Sequence, residues 1–378
     1  MKKRTRNILV ITASVLVVGI GALAVLNRPL SRDEVHEAVT AQLQKVVDES
    51  DSVSSVLLTV ATGDDVHEFA VGAAEVSSQY HSASVGKTML AVAFGQLIDE
   101  GTLSFDDPIG TWLDAPTLEG LFTNADEVTI GQLLGHTSGA ADYFEGPVTS
   151  GATMLETIAA DPDHLFSPQQ LLDFSRDRQT PVGTPGEKFH YSDTGYIVLG
   201  MALEAIDGKP YDEVLNDRIF TPLGMSDSYL MTEFGEPSGI LALDANGVDL
   251  SSRNALSVDW SGGGVVTTMA DLLAFMRALE GGELVSTHVH AQLTDFASDM
   301  QPGVHYGMGM MQFRFSEFSP LLFSMTDVHG AVGATGTFAL YDPTGDTFYI
   351  ANFGSLDYAQ KAIEQLVEIR LLFDRLED

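Results

Sequence analysis

Strand-like runs lie at both ends of this chain with a long helical stretch between them, and that arrangement restricts its possible folds more than any other feature. Ser54 to Val60 and His67 to Val71 are rich in apolar and β-branched residues and are joined by the turn Thr62-Gly63-Asp64-Asp65. Strand character returns in Gly307 to Phe315, Thr337 to Tyr341 and Thr347 to Phe353, with turn signals such as Asp342-Pro343-Thr344-Gly345-Asp346 between them. Between these ends, Tyr196 to Ile206, Tyr211 to Ile219 and Met269 to Leu279 carry apolar stripes at helical spacing. An amphipathic helix from about Arg32 to Val47, built on Val35, Val39, Leu43 and Val46, precedes the first strand, and a helix from roughly Tyr358 to Leu376 closes the chain. The pattern predicts an α/β (α+β) fold in which one sheet draws strands from both ends of the chain. Helices flank that sheet, and a large, mainly helical lobe is inserted. The sheet lobe is expected over about 31–97 and 291–378 and the helical lobe over about 98–290, together one domain over 31–378. A chain of 378 residues with 44% hydrophobic content can bury such a core. The crevice between the lobes is the natural place for an active site.

Residues 1–30 form a separate segment. Lys2, Lys3, Arg4 and Arg6 precede an uncharged run from Ile8 to Leu26, followed by Asn27, Arg28 and Pro29. The apolar span of 19 residues is close to the ~20 of a membrane helix and longer than the ~7–15 of a cleaved signal. It predicts an N-terminal membrane anchor, with a removable signal peptide as the alternative because Ala22-Leu23-Ala24 offers a small-residue cleavage site. Either reading exports the rest of the chain to an extracytoplasmic location, at the cell surface or secreted.

Nineteen basic residues against 53 acidic ones give a formal charge of −34, which excludes nucleic acid as a partner because phosphate neutralisation needs basic patches. The acids are spread along the chain. They describe either a solvated surface that keeps an exported protein soluble or adaptation to high salt. There is no cysteine, so disulfides and thiolate chemistry are excluded, and a metal site would have to use His and carboxylates. No metal or cofactor is expected, and the anticipated partners are a small-molecule or peptidoglycan-derived substrate and, through the N-terminal segment, a membrane.

Ser84-Val85-Gly86-Lys87 stands at the head of the apolar run Met89 to Ile98. Residues three apart share a helix face, so Lys87 can reach the Ser84 oxygen and remove its proton. A tetrad of this kind is a weak signal when it stands alone.

Further segments strengthen it. Ser82-Ala83-Ser84-Val85-Gly86-Lys87, Leu103-Ser104-Phe105-Asp106-Asp107-Pro108-Ile109, Leu133-Leu134-Gly135-His136-Thr137-Ser138-Gly139, Pro185-Gly186-Glu187-Lys188-Phe189-His190-Tyr191-Ser192 with Thr194-Gly195-Tyr196, and Ser261-Gly262-Gly263-Gly264 occur in that order. Together they resemble the serine β-lactamase and penicillin-binding-protein superfamily, nearest to its class C β-lactamase, D-alanyl-D-alanine carboxypeptidase and esterase branch. The resemblance implies a β-lactamase/transpeptidase-like fold with an antiparallel sheet. It also implies Ser84 as nucleophile, Lys87 and Tyr191 as proton-handling groups, and backbone N–H groups of Ser84 and Ala334 as the oxyanion hole. Independently of the family, a phenol beside a lysine is a plausible proton relay, provided the ammonium lowers its pKa.

Two positions depart from the pattern. Asp193 stands where the second motif ordinarily ends in Asn. An ionised Asp accepts but cannot donate, and its charge favours a protonated Lys87 and shifts the base role toward Tyr191. In the third motif, His329-Gly330-Ala331-Val332-Gly333-Ala334-Thr335-Gly336 places Ala331 at the usual Lys or His position if glycine spacing sets the register. His329, two residues upstream, shares a strand face with that position and is expected to reach the cleft. The other register makes His329 itself the start of the motif. Asp193, Gly333, Ala334 and His329 are therefore the expected substrate-binding and oxyanion residues. His136 reads as part of a structural turn, Asp244, Asn246 and Asp249 as a plain turn, and His288 and His290 as surface residues. These features predict a serine hydrolase working through an acyl-enzyme on an ester, amide or β-lactam, tilted toward an esterase or peptidase. The alternative is a catalytically impaired wall-binding or regulatory module with the same fold.

Overall fold

The computed structural model describes residues 28–232 and 239–377. The segment expected as an anchor, residues 8–26, lies outside them. Among the described residues no helix is long and apolar enough to cross a membrane.

Helix α1 (Arg32–Glu49) begins at a capping box, where the Ser31 hydroxyl accepts from the Glu34 amide and the Glu34 carboxylate accepts from the Ser31 amide. It buries Val35, Val39, Leu43 and Val46, the stripe its spacing predicts. Strands β1 (Ser55–Thr62) and β2 (Asp65–Gly72) follow as a tight hairpin, and the chain then leaves the sheet until β3 (Ser298–Gln301). Strands β4 (Val304–Tyr306), β5 (Met311–Phe313), β6 (Val328–Val332), β7 (Phe338–Asp342) and β8 (Thr347–Asn352) complete an antiparallel sheet ordered β2-β1-β8-β7-β6-β5-β4-β3. The first and last parts of the chain meet where β1 pairs with β8, Leu57 opposite Asn352 through Thr62 opposite Thr347.

Both faces of the sheet are covered. On one side α1 and the terminal helix α6 (Ala359–Phe373) pack over Val56, Leu58, Phe338 and Leu340. A buried ion pair, Arg370 Nη2 to Asp342 Oδ2 at 2.6 Å, ties α6 to β7. On the other side lie α2 (Gly86–Asp99), α3 (Asp193–Asp207), α4 (Met269–Glu280) and α5 (Thr287–Leu293) with the inserted helical lobe.

Two sequence expectations change. The run from Gly307 to Phe315 is not one strand, because Gly307–Met310 breaks out between β4 and β5. Gly309, at φ +73, rests against Lys87 of α2, where a Cβ would come within 3.0 Å of the Lys87 carbonyl oxygen. Its own carbonyl accepts from Thr88 Oγ1 at 2.7 Å. The break thus anchors α2 to the sheet. The run from Tyr211 to Ile219 is helical throughout, but its α-helix (Tyr211–Leu215) widens into a π-helix over Asn216–Phe220.

Candidate active site

Ser84 lies in the single turn Ala83–Val85 that leads into α2. Ala83 takes the left-handed conformation (φ 48), unusual for a residue with a Cβ, and its amide donates to His81 Nδ1 at 3.2 Å. The Ser82 amide donates to the Val265 carbonyl at 2.8 Å, and Tyr80–His81 pairs with Val265–Thr267 in a small second sheet. These bonds fix the turn and aim the Ser84 hydroxyl into the cleft. Lys87, one turn on, is buried.

Ser84 Oγ accepts from Lys87 Nζ at 3.1 Å and from the Tyr191 hydroxyl at 3.0 Å. Lys87 Nζ is also 2.6 Å from Asp193 Oδ1 and donates to the Gly262 carbonyl oxygen. An ammonium has three protons, and here three acceptors surround it. The Tyr191 and Tyr196 rings each lie 5.2 Å from Nζ, a further favourable setting for a cation. Asp193 is the first residue of α3, where the helix dipole favours a carboxylate. The Ser-Gly-Gly-Gly segment thereby gains a physical role. Gly262 supplies one acceptor, and Ser261 Oγ ties the segment to the Tyr196 carbonyl at 2.9 Å.

Tyr191 departs from the expectation that Lys87 would lower its pKa. Burial, then the charge of Asp193, hold the phenol well above its ordinary value, with the Ser84 hydrogen bond opposing them. Asp193 offsets the positive field that a phenolate would need. His136 supports this wall of the site. Its Nδ1 accepts from the Ser192 amide at 3.1 Å, its Nε2 stands 3.1 Å from the Tyr306 hydroxyl, and its ring lies 4.1 Å from that of Tyr191. Burial, then the Lys87 charge, push its pKa well below the usual imidazole value, so a neutral ring positions the phenol.

Two carboxyl groups that the sequence reading did not single out complete the site. Asp142 is pushed up to about 8 by burial and then by the charge of Asp193, whose amide donates to Asp142 Oδ1 at 3.2 Å. Asp259 is pushed up to about 7 by burial and then by Asp193. Asp142 directly precedes Tyr143-Phe144, an apolar context that hints at burial, but nothing in the sequence pairs it with Asp193.

The cleft in front of Ser84 holds about 540 Å3. Val332, Gly333 and Ala334 line one side. Gly333 is required there by close approach, since a Cβ would stand 2.8 Å from that of Ala83 and 3.3 Å from the Ser84 amide nitrogen. The Gly333 amide is taken by the Thr337 carbonyl at 2.7 Å, which leaves Ala334 as the next amide along the turn. Ala331 is buried in the core and does not line the cleft. His329, expected to face the cleft, is placed elsewhere. It does share a face with Ala331, but helices cover that face until the strand ends at Val332, and His329 Nε2 meets Glu280 Oε1 at 3.1 Å. His290, read as a surface residue, is half-buried and joins the same carboxylate. Asp244 and Asp249 hold a two-stranded turn, with Asp244 Oδ2 accepting from the Gly247 amide at 3.1 Å.

Comparison with known proteins gives one consistent result. The Beta-lactamase family model matches residues 39–367. Penicillin-binding protein 4 of Amycolatopsis lactamdurans is 33% identical over 194 residues, 48% of this chain and 46% of that protein. A D-aminopeptidase of Brucella anthropi is 25% identical over 201 residues, 52% of this chain and 35% of that protein. The chain spans about half or less of the length of these curated relatives. Among solved structures, a D-stereospecific amidohydrolase from Streptomyces sp. superposes with a TM-score of 0.75 at 27% identity, covering 87% of this chain and 97% of that one.

Proposed function

This chain belongs to the β-lactamase family, and from that premise we propose that it is a serine hydrolase that turns over esters or amides through an acyl-enzyme on Ser84. The observation that carries the reading is the meeting of Lys87 Nζ and the Tyr191 hydroxyl on Ser84 Oγ, at 3.1 and 3.0 Å, beside a substrate-sized cleft. Ser84 attacks the carbonyl carbon. Its proton passes to the Tyr191 oxygen as the phenol gives its own proton to the leaving oxygen or nitrogen. The raised pKa of Tyr191 favours this concerted exchange over a standing phenolate. Lys87, paired with Asp193, stabilises the charge that develops between Ser84 and Tyr191. The amides of Ser84 and Ala334 receive the oxyanion. Water then attacks the ester, gives its proton to Tyr191 and returns the Ser84 hydroxyl.

The cleft lining supports a substrate class. Asp142, Glu145, Asp193, Asp259 and Glu317 face it, and among the described residues no Lys or Arg lines it. The ammonium of Lys87, beside Ser84, is already paired with Asp193. A substrate carboxylate would find no lysine or arginine on the lining, whereas an uncharged acyl group meets the apolar walls of Phe144, Phe189 and Leu256, and an amine meets Asp193 and Glu145, since Asp142 and Asp259 are held toward their neutral forms. The D-aminopeptidase among the similar proteins bears a name that agrees with an amine-bearing amide, and the D-stereospecific amidohydrolase one that agrees with an amide. Export, with anchoring by residues 8–26, rests on the basic-then-apolar order of that segment.

The test uses a fluorophosphonate, a labelled penicillin, and matched amides with and without a free α-amine. Fluorophosphonate label at Ser84 with turnover of the amine-bearing amide is expected. The reading fails if neither probe marks Ser84, and binding of a wall fragment unaltered by Ser84→Ala would then favour a non-catalytic module.

A further inference from the structure

Away from the cleft, three side chains from three elements converge. Glu280 ends α4, His290 lies in α5 and His329 in β6. Their donor atoms all lie within 4.8 Å of one another. Glu280 Oε1 is 3.1 Å from His329 Nε2, and Glu280 Oε2 is 3.4 Å from His290 Nε2. Donors held ~2.0–2.1 Å from a tetrahedral ion stand about 3.3 Å from each other, close to the distance each imidazole keeps from its own oxygen of the Glu280 carboxylate. Side-chain exposures of 6% for Glu280, 12% for His329 and 23% for His290 leave one side open to a water or an entering ion.

Two further features point to a cation. Glu280 occupies the last turn of α4, where the partial negative charge of the helix end disfavours a carboxylate unless a positive charge offsets it. His290 Nε2 is closed off from solvent yet makes no well-aligned hydrogen bond among the described residues. Its near neighbour is Glu280 Oε2 at 3.4 Å, and an ion between the two would satisfy both. The aromatic rings of Phe296 and Tyr341, 5.8 and 5.6 Å from His329, wall the cluster.

We propose that Glu280, His290 and His329 form a binding site for one divalent transition-metal ion of the zinc class, with water as the fourth ligand. Two imidazoles and a carboxylate are a donor set that zinc accepts, and the absence of cysteine leaves this set as the kind of site the chain can build. The bound ion staples the ends of α4 and α5 to β6, the strand that runs on to Gly333 and Ala334. The competing state is a metal-free network of imidazole–carboxylate contacts.

Tag-free protein, stripped with chelator and dialysed, is titrated with Zn2+ by calorimetry, and bound zinc is counted by elemental mass spectrometry. Wild type should take up one equivalent at micromolar or tighter Kd, with its Tm rising with zinc concentration above Kd. His290→Gln and Glu280→Gln, checked for folding by circular dichroism, should each weaken uptake at least tenfold. Because surface acids bind zinc weakly, non-saturating uptake that is equal in wild type and His290→Gln overturns the proposal. Stoichiometric binding untouched by either substitution overturns it as well.

Discussion

Lys87 and Asp193 form the electrostatic centre of the site, with Nζ and Oδ1 2.6 Å apart and both side chains largely withdrawn from solvent. The pair explains why the phenol and two further carboxyls sit in unusual states. Asp193 neutralises the ammonium, so Tyr191 stays a phenol, and the same carboxylate helps drive Asp142 and Asp259 toward their neutral forms. An Asn in its place would leave Lys87 uncompensated and would offer a donor to the substrate.

Asp193→Asn should therefore change selectivity. The new amide can still accept from Lys87 and can also donate to a substrate carbonyl. Acylation by a labelled penicillin should quicken by about tenfold, the size of one ordinary hydrogen bond of ~1.4 kcal/mol. Turnover of amine-bearing amides should fall as the acid that faces them is lost. Stopped-flow labelling checks the first effect, and an unchanged rate would show that Asp193 does not set this preference.

Tyr191→Phe removes the hydroxyl 3.0 Å from Ser84 Oγ and keeps the ring that stacks on His136. A drop in kcat of about 10²–10⁴ with little change in KM is expected if the phenol moves the proton. A loss confined to KM would make Tyr191 a binding group.

Much of this arrangement was legible in the chain, and the failures have definite causes. The stripe of α1 followed from periodicity because that helix buries one face, and the β1–β2 hairpin followed from its β-branched runs and the turn between them. The contact between Ser84 and Lys87 followed from spacing, which acts within one turn of chain. The break at Gly307–Met310 was not legible, because it is set by contact with Lys87 and Thr88, more than two hundred residues upstream. His329 illustrates the same limit. Strand alternation correctly gives it the face of Ala331, but only the positions of α4 and α5 decide that this face is covered at residue 329. The partnership of Asp142 with Asp193 is likewise a product of tertiary packing, and it inverts the ordinary assumption that an Asp is charged.

Close packing at Gly333 predicts a steric sensitivity. In Gly333→Ala the new methyl would meet Ala83 Cβ at 2.8 Å and the Ser82 carbonyl oxygen at 2.9 Å, so the turn that carries Ser84 must move. A displacement of this order should cost about 10²-fold in kcat. Gly110→Ala, where a Cβ meets nothing within 4 Å, serves as the control and should leave kcat and Tm unchanged.

The charge balance predicts a response to salt. With 53 acidic against 19 basic residues, repulsion outweighs the exposed ion pairs that salt also weakens. Screening shortens the Debye length from ~10 Å at 0.1 M to ~3 Å at 1 M. Tm should climb by several degrees between these concentrations of sodium chloride, and activity should hold or rise. A flat or falling Tm would refute salt adaptation.

Asp142 provides a test of the buried charge pattern through pH. Its carboxyl titrates near 3.8 when the chain is unfolded and at about 8 when folded. Between those values the folded state holds a proton that the unfolded state has released, so folding loses stability as pH rises through that window. The loss is complete above about 8. Asp142→Asn removes the titration, although it also gives up the Oδ2 acceptor that the Glu145 amide uses at 3.0 Å, an offset that does not vary with pH. The difference in Tm between Asp142→Asn and wild type should therefore shift in favour of the variant from pH 4.5 to 8 and level off beyond. Both proteins carry the same remaining charges, so their common pH dependence cancels in that difference. A difference that stays constant with pH would mean that Asp142 is ionised in the folded enzyme, and that the negative charge around Lys87 is shared between two carboxylates.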